Sequence, residues 1–111
     1  MEMYNPPHPG EILKDIYMEP LNLTFSDVAK GIGVTQKALL ELINKKISIT
    51  PIIAIKLAKA FNTTPESWLS LQDQYDLWHA KKRAKISDIQ IFVHSKDKIK
   101  KVKINSSKIS A

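Results

Sequence analysis

Residues 24–44 contain two short helical patterns joined by a turn that leaves them little freedom to separate. The first pattern follows Thr24, whose hydroxyl is expected to cap the free N–H groups, with Asp27 completing a capping box. Gly33 can adopt a left-handed backbone conformation at little cost, and Thr35 is a second N-cap. The apolar residues that recur at helical spacing are Val28, Ala29, Ile32, Leu39, Leu42 and Ile43. The segment is therefore predicted to form a helix-turn-helix.

Polar side chains occupy the outer face of the second predicted helix. Thr35, Gln36 and Lys37 stand at its N-terminal end, which is the end that a helix-turn-helix inserts into the major groove of DNA. Hydroxyl, amide and ammonium groups bind phosphates or base edges. An ordinary corner between two core helices has the same spacing, but these outward residues favour a unit that reads DNA.

A chain of 111 residues can bury a single core and suits one domain, or one domain with a tail. It contains no cysteine, which excludes disulfides and thiolate metal sites. No apolar run is long enough to cross a bilayer, and no signal peptide is recognisable at the N-terminus. The expected location is therefore the cytoplasm, and no membrane partner is expected.

The positive charge of the chain is concentrated near its C-terminus. The formal net charge is +6, yet residues 1–79 carry 7 Lys against 9 acidic residues, whereas residues 80–111 carry 10 Lys or Arg against 2 Asp. In the first segment, Lys37, Lys45 and Lys46 give the helix-turn-helix a local positive patch, with Glu41 opposing them. Binding to nucleic acid therefore has to be argued from this patch and not from the overall charge.

Further start signals divide the rest of residues 1–80 into helices. The prolines in residues 5–10 predict an extended arm, and residues 11–17 follow as a short amphipathic helix that ends before Pro20. Thr50 and Thr64, each followed by proline, predict the starts of two more helices. The first of these has the most apolar face, formed by Ile53, Ala54, Leu57, Ala58 and Phe61. The sequence thus predicts an all-α domain over residues 1–80.

Large apolar residues recur along the last predicted helix at spacings of three and four. They are Trp68, Leu71, Tyr75 and Trp78. Such a stripe is first a packing face, within the domain core or between subunits, and a cofactor pocket is the weaker alternative. We assign the stripe to a homodimer or partner interface, with Tyr75 and Trp78 as the residues that most directly face the partner.

Alternation replaces helical spacing in the basic tail, residues 81–111. Ile89, Ile91 and Val93 are every second residue, and Val102 and Ile104 repeat the pattern after a polar turn. The tail fits a β-hairpin, and it also fits a solvated lysine-rich segment, because an isolated two-stranded hairpin is only marginally stable. A disordered phosphate-binding arm would gain nothing from alternating β-branched residues. We therefore expect strands that pair with a second subunit or a toxin.

No residue set indicates an enzyme, a metal site or a bound cofactor. His8, His79 and His94 lie far apart in the sequence and lack the spacing of metal ligands, and no phosphate-binding glycine loop or nucleophile elbow occurs. Each histidine is expected at the surface or at a helix cap. Asp73 and Asp76 lie three residues apart on one helix face, where solvated charge is the expected role.

Several segments together resemble the HigA-type antidote proteins of bacterial toxin-antitoxin modules, within the larger lambda-repressor-like helix-turn-helix group. The helix-turn-helix residues are generic, but HPGEIL at residues 8–13, TPESWL at residues 64–69 and LQDQYDL at residues 71–77 are specific. The resemblance spans residues 5–80 and leaves the tail outside. It implies a five-helix domain that dimerises, binds its own operator and neutralises a small RNA-cleaving toxin encoded beside it.

The resemblance also implies which residues face double-stranded operator DNA. Together with Thr24 and Ser26 at the start of the first motif helix, the candidates are Thr35, Gln36, Lys37, Leu40, Asn44, Lys45 and Lys46. Three residues depart from the family pattern: Phe25 stands where Gln is common, Leu40 where Ser or Asn often faces DNA, and Lys45 where Gly usually follows the helix. Phe25 and Leu40 remove hydrogen-bonding groups from the expected DNA face, which bears on operator affinity and sequence choice.

Three functions fit this sequence. The first is an antitoxin that binds operator DNA, represses its own operon and neutralises its cognate small toxin. The second is a stand-alone transcription regulator without a toxin. The third is a toxin-binding module with weak DNA affinity, which the apolar residues at positions 25 and 40 allow. A short toxin-like reading frame beside the gene would separate the first from the second.

Overall fold

Threonine hydroxyls begin four of the five α-helices found within residues 5–94. In the computed structural model, which describes residues 5–94, the hydroxyl oxygens of Thr24, Thr35, Thr50 and Thr64 each accept a backbone N–H three residues ahead, at 3.0 to 3.3 Å. The helices that follow are α2 (Phe25–Ile32), α3 (Gln36–Ile43), α4 (Pro51–Phe61) and α5 (Pro65–Arg83). They are preceded by α1 (Pro9–Ile12), so the prediction of an all-α, five-helix fold is confirmed.

The first helix begins earlier than the sequence analysis predicted. An extended arm was expected through Gly10, but α1 starts at Pro9 with His8 as its N-cap. Proline suits the first helical position because its missing N–H has no helical partner there and its fixed φ favours the helix. The helix then widens into a π-helical segment, Leu13–Met18, after which the N–H of Glu19 donates to the carbonyl of Lys14 at 2.9 Å.

The core is formed by one face of every helical segment after α1. Its buried apolar side chains are Leu13, Met18, Val28, Ala29, Ile32, Leu39, Leu42, Ile43, Ile49, Ala54, Leu57, Ala58 and Trp68. The indole N–H of Trp68 donates to the hydroxyl of Thr63 at 2.7 Å, which satisfies the polar edge of this buried ring. The apolar face predicted for α4 is confirmed at its centre, where Leu57 is fully buried.

Backbone meets backbone where α1 crosses the last turn of α3. A Cβ atom placed on Gly10 would overlap the carbonyl oxygen of Leu42 and would lie 2.9 Å from the Cα of Ile43. No side chain therefore fits between the two helices at this point. The contact sets the position of α1 relative to the C-terminal end of α3.

His8 joins α1 to α5 and to the loop after α3, residues 44–50. Its Nδ1 accepts the N–H of Gly10 at 2.9 Å, and the ring lies near the backbone of Ile47, which acts to raise its pKa. The ring also meets Tyr75 edge-on, with 4.8 Å between the ring centroids. His8 is only 2% exposed, so this histidine is a buried cap and not a surface residue.

A buried glutamine ties α5 to the same loop. The Oε1 atom of Gln72 accepts the N–H of Ile49 at 2.8 Å, and its Nε2 donates to Oδ1 of Asp76 at 3.0 Å. Because Gln72 is 4% exposed, these bonds replace the water that its amide has lost. The loop after α3 is therefore held both by His8 and by Gln72.

The last helix ends at Arg83, three residues beyond the predicted domain boundary. Residues 84–94 follow without a helix or strand, and the N–H of Ile89 closes a turn by donating to the carbonyl of Ile86 at 3.1 Å. The first strand of the predicted β-hairpin, at residues 89–93, is thus not formed, since the described chain offers no neighbouring strand to pair with it. The second strand, at Val102 and Ile104, lies outside the described residues. No helix within residues 5–94 has the length and apolarity needed to cross a membrane.

Replacing Gly10 with alanine is expected to lower the free energy of unfolding by about 1–3 kcal/mol, because the added methyl group must push apart two backbones. Gly31→Ala is the matched control. Nothing lies within 4 Å of a Cβ atom at Gly31, which stands inside α2. Alanine there should stabilise the domain by about 0.5–1 kcal/mol. Urea unfolding of the two variants measures both values, and equal effects would contradict the backbone contact.

The stability of the domain is expected to fall as pH drops through about 6.5, in part because of His8. Burial disfavours the imidazolium and lowers the pKa of His8 below 6.5, against the opposing charges of Asp76 and Glu11 and with the help of Lys45. The unfolded chain therefore binds the proton first, so the stabilisation is complete above pH 6.5 and is lost as pH falls towards the lower pKa of the folded state.

His8→Asn tests this pH dependence, because asparagine keeps an acceptor at the N-cap but does not titrate. Urea unfolding of both proteins is measured from about pH 7.5 to about pH 5. The wild type should lose more stability than the variant over this range. Parallel curves for the two proteins would show that His8 does not carry the effect.

Candidate nucleic-acid interface

The turn between α2 and α3 fixes the angle of the two helices. Gly33 adopts the left-handed conformation, with φ 74° and ψ 40°. The N–H of Val34 donates to the carbonyl of Ala29 at 3.0 Å, and Lys56 Nζ from α4 donates to the carbonyl of Gly33 at 3.4 Å. Thr35 returns to extended backbone and caps α3. This geometry confirms the predicted helix-turn-helix.

The N-terminal end of α3 presents polar side chains to solvent. Thr35, Gln36 and Lys37 are all exposed. Gln36, Leu40 and Asn44 are spaced by four residues and therefore lie along one face of α3. The two amides are exposed, whereas Leu40 between them is half-buried. This face thus combines groups that form hydrogen bonds with a single apolar side chain.

The start of α2 already carries a negative group. Thr24 and Asp27 form reciprocal capping bonds of 3.0 and 3.2 Å. The hydrogen bonds from the Thr24 side chain and backbone hold the pKa of Asp27 below its usual value, which favours the ionised carboxylate further. Thr24 and Ser26 are exposed, but a phosphate that approaches them also meets Asp27. The first turn of α3 has no acidic residue and is the better anion site of the two.

A lysine takes the place usually given to glycine at the end of α3. Lys45 has a φ of 65°, and its N–H donates to the carbonyl of Leu42 at 3.1 Å. The N–H of Lys46 donates to the carbonyl of Glu41 at 2.8 Å, which completes a Schellman motif. The left-handed conformation costs a residue with a side chain about 1–2 kcal/mol. Lys45 Nζ lies 3.2 Å from Oε2 of Glu11, so its ammonium group forms an ion pair with α1.

An open groove separates the first helical segment from the pair formed by α2 and α3. Its lining residues are Glu11, Lys14, Asp15, Phe25, Leu40, Ile43, Asn44 and Lys45. The two apolar departures from the family pattern, Phe25 and Leu40, therefore line the same groove. Phe25 is half-buried and packs partly against the core, so its ring is not simply presented to solvent.

The predicted partner stripe on α5 divides into a buried part and a more accessible part. Trp68 is 2% exposed and its ring lies 5.6 Å from that of Tyr17, so its assignment to a partner interface was wrong: it belongs to the core. Leu71 packs partly against the same core, and Tyr75 is half-buried against His8. Trp78 is half-buried as well, and the ammonium of Lys82 lies 4.2 Å from its ring centroid.

Sequence reasoning missed several residues on both sides of the domain. Beyond α5, Ile89, Ile91 and Val93 are exposed, and within residues 5–94 the most exposed large apolar side chain is that of Phe92, at 81%. The residues that support α3 were also not singled out for that role, namely Gly10, Glu11 and Gln72. Their signal was present in the HPGEIL and LQDQYDL segments, but the contacts become visible only in three dimensions. Within residues 5–94, no group of acidic or histidine side chains could hold a metal ion.

Comparison with known proteins places this arrangement in a family. A helix-turn-helix family model matches residues 15–69. The chain is 38% identical over 103 residues to virulence-associated protein A of Dichelobacter nodosus, a match that covers 92% of this chain and 90% of that protein. It is 40% identical over 74 residues to antitoxin HigA-1 of Vibrio cholerae, covering 67% of this chain and 70% of the antitoxin. An uncharacterized HTH-type transcriptional regulator of Haemophilus influenzae is 46% identical over 69 residues, which span 62% of this chain and 64% of the regulator.

Solved structures show the same fold. An addiction module antidote protein of the HigA family from Coxiella burnetii superposes with a TM-score of 0.75 at 36% identity, covering 81% of this chain and 100% of that chain. The antitoxin HigA of Pseudomonas aeruginosa, solved with the higBA promoter, gives a TM-score of 0.72 at 26% identity, covering 79% of this chain and 99% of that chain. From its helix-turn-helix geometry, its specific sequence segments and these relatives together, the chain belongs to the HigA family of helix-turn-helix antitoxins.

Proposed function

We propose that this protein is an antitoxin that binds operator DNA through α2 and α3, represses its own operon and neutralises a partner RNA-cleaving toxin. The observation that carries the DNA-binding part is the exposed N-terminal end of α3, where Thr35, Gln36 and Lys37 stand together. Similarity to a HigA solved with the higBA promoter supports the same role. Similarity to a named antitoxin supports the role in neutralising a toxin.

Each polar group at α3 has a role that follows from its chemistry. The amide of Gln36 offers a donor and an acceptor side by side, which suits the major-groove edge of adenine. The ammonium groups of Lys37 and Lys46 suit phosphates. The N-terminal dipole of α3 adds to this attraction, since no acid stands in its first turn. Lys45 contributes less because Glu11 already holds its ammonium group.

An operator that is an inverted repeat requires two copies of α3, and we propose that a homodimer supplies them. With Trp68 assigned to the core, the surface that α5 leaves for a partner includes the half-buried Trp78, beside which Leu77 is 56% exposed. In a dimer with two-fold symmetry, both subunits use this same surface. The two α3 helices would then lie about 34 Å apart, one turn of DNA.

For the toxin contact we propose the exposed apolar segment of residues 86–93. Its side chains Ile86, Ile89, Ile91 and Phe92 are all more than half exposed. Within the described chain, backbone bonding in this segment is limited to the single turn at Ile86. The remaining N–H and C=O groups can therefore pair with the edge of a sheet in another protein, while alternate side chains bury against it.

A stand-alone transcription regulator without a toxin is the second candidate function. It is favoured by the similarity to an HTH-type transcriptional regulator of Haemophilus influenzae.

DNA selected from a random duplex library should contain an inverted repeat. On that operator, Gln36→Ala should lower discrimination between matched and mismatched bases by about 1–3 kcal/mol, because it removes a base-edge contact. Lys46→Ala should weaken all DNA similarly and reduce the slope of log K against log salt by about 0.9, as expected for one phosphate contact. Fluorescence anisotropy over a salt series measures both quantities.

Lys59→Ala is the matched control for these variants, because Lys59 is an exposed lysine in the last turn of α4. It should leave both the discrimination and the salt slope unchanged. If selection returns no preferred sequence, the repressor function is ruled out, and a toxin-binding module with weak DNA affinity becomes the better description.

Deleting residues 84–111 is expected to abolish binding to the partner toxin. The full chain should still bind the toxin in about 0.5 M salt, because strand pairing and apolar contact are not screened by salt.

In the full chain, Trp78→Glu is expected to give monomers that keep their helical circular dichroism. Titration calorimetry measures the toxin affinity, and light scattering at micromolar concentration measures the mass.

Two results would contradict this assignment of surfaces. A truncated protein that keeps its toxin affinity and loses only low-salt DNA binding would show that the tail is an electrostatic arm. A wild type that is monomeric at micromolar concentration would remove the proposed dimer.

A further inference from the structure

Phe25 and Leu40 are the two apolar side chains that line the groove beside α3 without being fully buried, and the third, Ile43, belongs to the core. Phe25 is the first residue of α2 and Leu40 stands in the middle of α3. Neither side chain can form a hydrogen bond, although the polar face of α3 continues on both sides of Leu40. Polar recognition therefore does not explain these two side chains, although five of the eight residues that line the groove are polar or charged.

The charges around this groove do not suit a phosphate. Its two lysines are both engaged in ion pairs, Lys14 with Glu19 at 3.4 Å and Lys45 with Glu11 at 3.2 Å. Glu11 and Asp15 line the groove as well. A phosphate placed here would meet carboxylates and would have to compete with them for the lysines. The backbone of DNA is thus an unfavourable occupant.

The position of Leu40 on α3 directs it towards base edges. Gln36 and Asn44, one turn to either side of it, are exposed on the same face. If α3 enters the major groove, Leu40 would therefore contact the edge of a base. The apolar group that bases present in this groove is the C5-methyl of thymine. A donor or acceptor placed against leucine would instead lose its hydrogen bond to water.

We propose that Leu40, supported by Phe25, binds the C5-methyl group of a pyrimidine in the major groove, either thymine or 5-methylcytosine. The inference rests on the proposed binding of operator DNA and names the chemical feature that this part of the site recognises. Phe25 is a positioning residue here, because it packs against the core and also lines the groove next to Leu40. The apolar departures at these two positions are therefore a means of sequence choice.

The test replaces the thymines of the selected operator, one at a time, with deoxyuridine, which differs only by the missing methyl group. At one position in each half-site, the wild type should bind about fourfold more weakly, the effect of losing one buried carbon. Leu40→Ala should bind the thymine and uracil duplexes equally, whereas Leu40→Met should keep the preference for thymine. Ile55→Ala, an exposed apolar residue of α4, is the control and should also keep it. Thermal unfolding confirms that each variant is folded.

A second set of duplexes carries cytosine or 5-methylcytosine at the sensitive position, paired with guanine. If 5-methylcytosine binds more tightly than cytosine in the wild type but not in Leu40→Ala, the groove accepts the methyl group of either pyrimidine. If the two cytosines bind equally while the uracil effect remains, the ligand is thymine. Equal affinity of the wild type for thymine and uracil at every position overturns the inference but leaves the proposed operator binding intact. A protein that prefers no duplex over random DNA overturns both.

Discussion

The placement of the DNA-facing helix depends on one contact between two backbones. Gly10 lies directly against the carbonyl of Leu42 and the Cα of Ile43, at the end of α3 that is opposite to Thr35. A side chain of any size would move α1 away from α3, and Glu11 would move with it. The helix is therefore supported from behind at one end, and its other end is left free for a ligand. A site is more precise when it is built on a rigid element in this way.

The two sequence segments most typical of the family meet close to this support. His8 from HPGEIL touches the ring of Tyr75 from LQDQYDL, and Gln72 from the latter holds the N–H of Ile49. Both segments act on residues 44–50, the loop that leaves α3. Their role is to hold that loop and α1 in place, which explains how segments outside the helix-turn-helix can be more specific to the family than the helix-turn-helix itself.

Interactions between neighbours in the sequence were predictable, and contacts across the fold were not. The caps at Thr24 and Thr35 and the turn at Gly33 depend mainly on residues within five positions of one another, so the pattern of residue types was enough. Proline at position 9 suits both an extended arm and the first turn of a helix, and the choice depends on the burial of His8. The spacing of Trp68 indicated a packing face, but it could not show whether Trp68 packs against its own chain or against a partner.

The groove could not be predicted for the same reason, since it exists only where α1 is placed beside α2 and α3. The sequence showed that Phe25 and Leu40 lack hydrogen-bonding groups. The structure adds that they lie together, with acidic residues beside them. What had counted against DNA binding at two separate positions becomes a pair of apolar side chains in one largely polar groove beside α3.

Thr35 uses one oxygen atom for two purposes. This oxygen accepts the N–H of Ala38 at 3.0 Å and so keeps the first turn of α3 closed, while its own proton remains available to a phosphate. If Thr35 binds an operator phosphate, as proposed above, DNA affinity and the integrity of α3 are coupled through a single hydroxyl. Substitutions at Lys37 and Lys46 could change DNA affinity without weakening the cap of α3, because their side chains have no part in that cap.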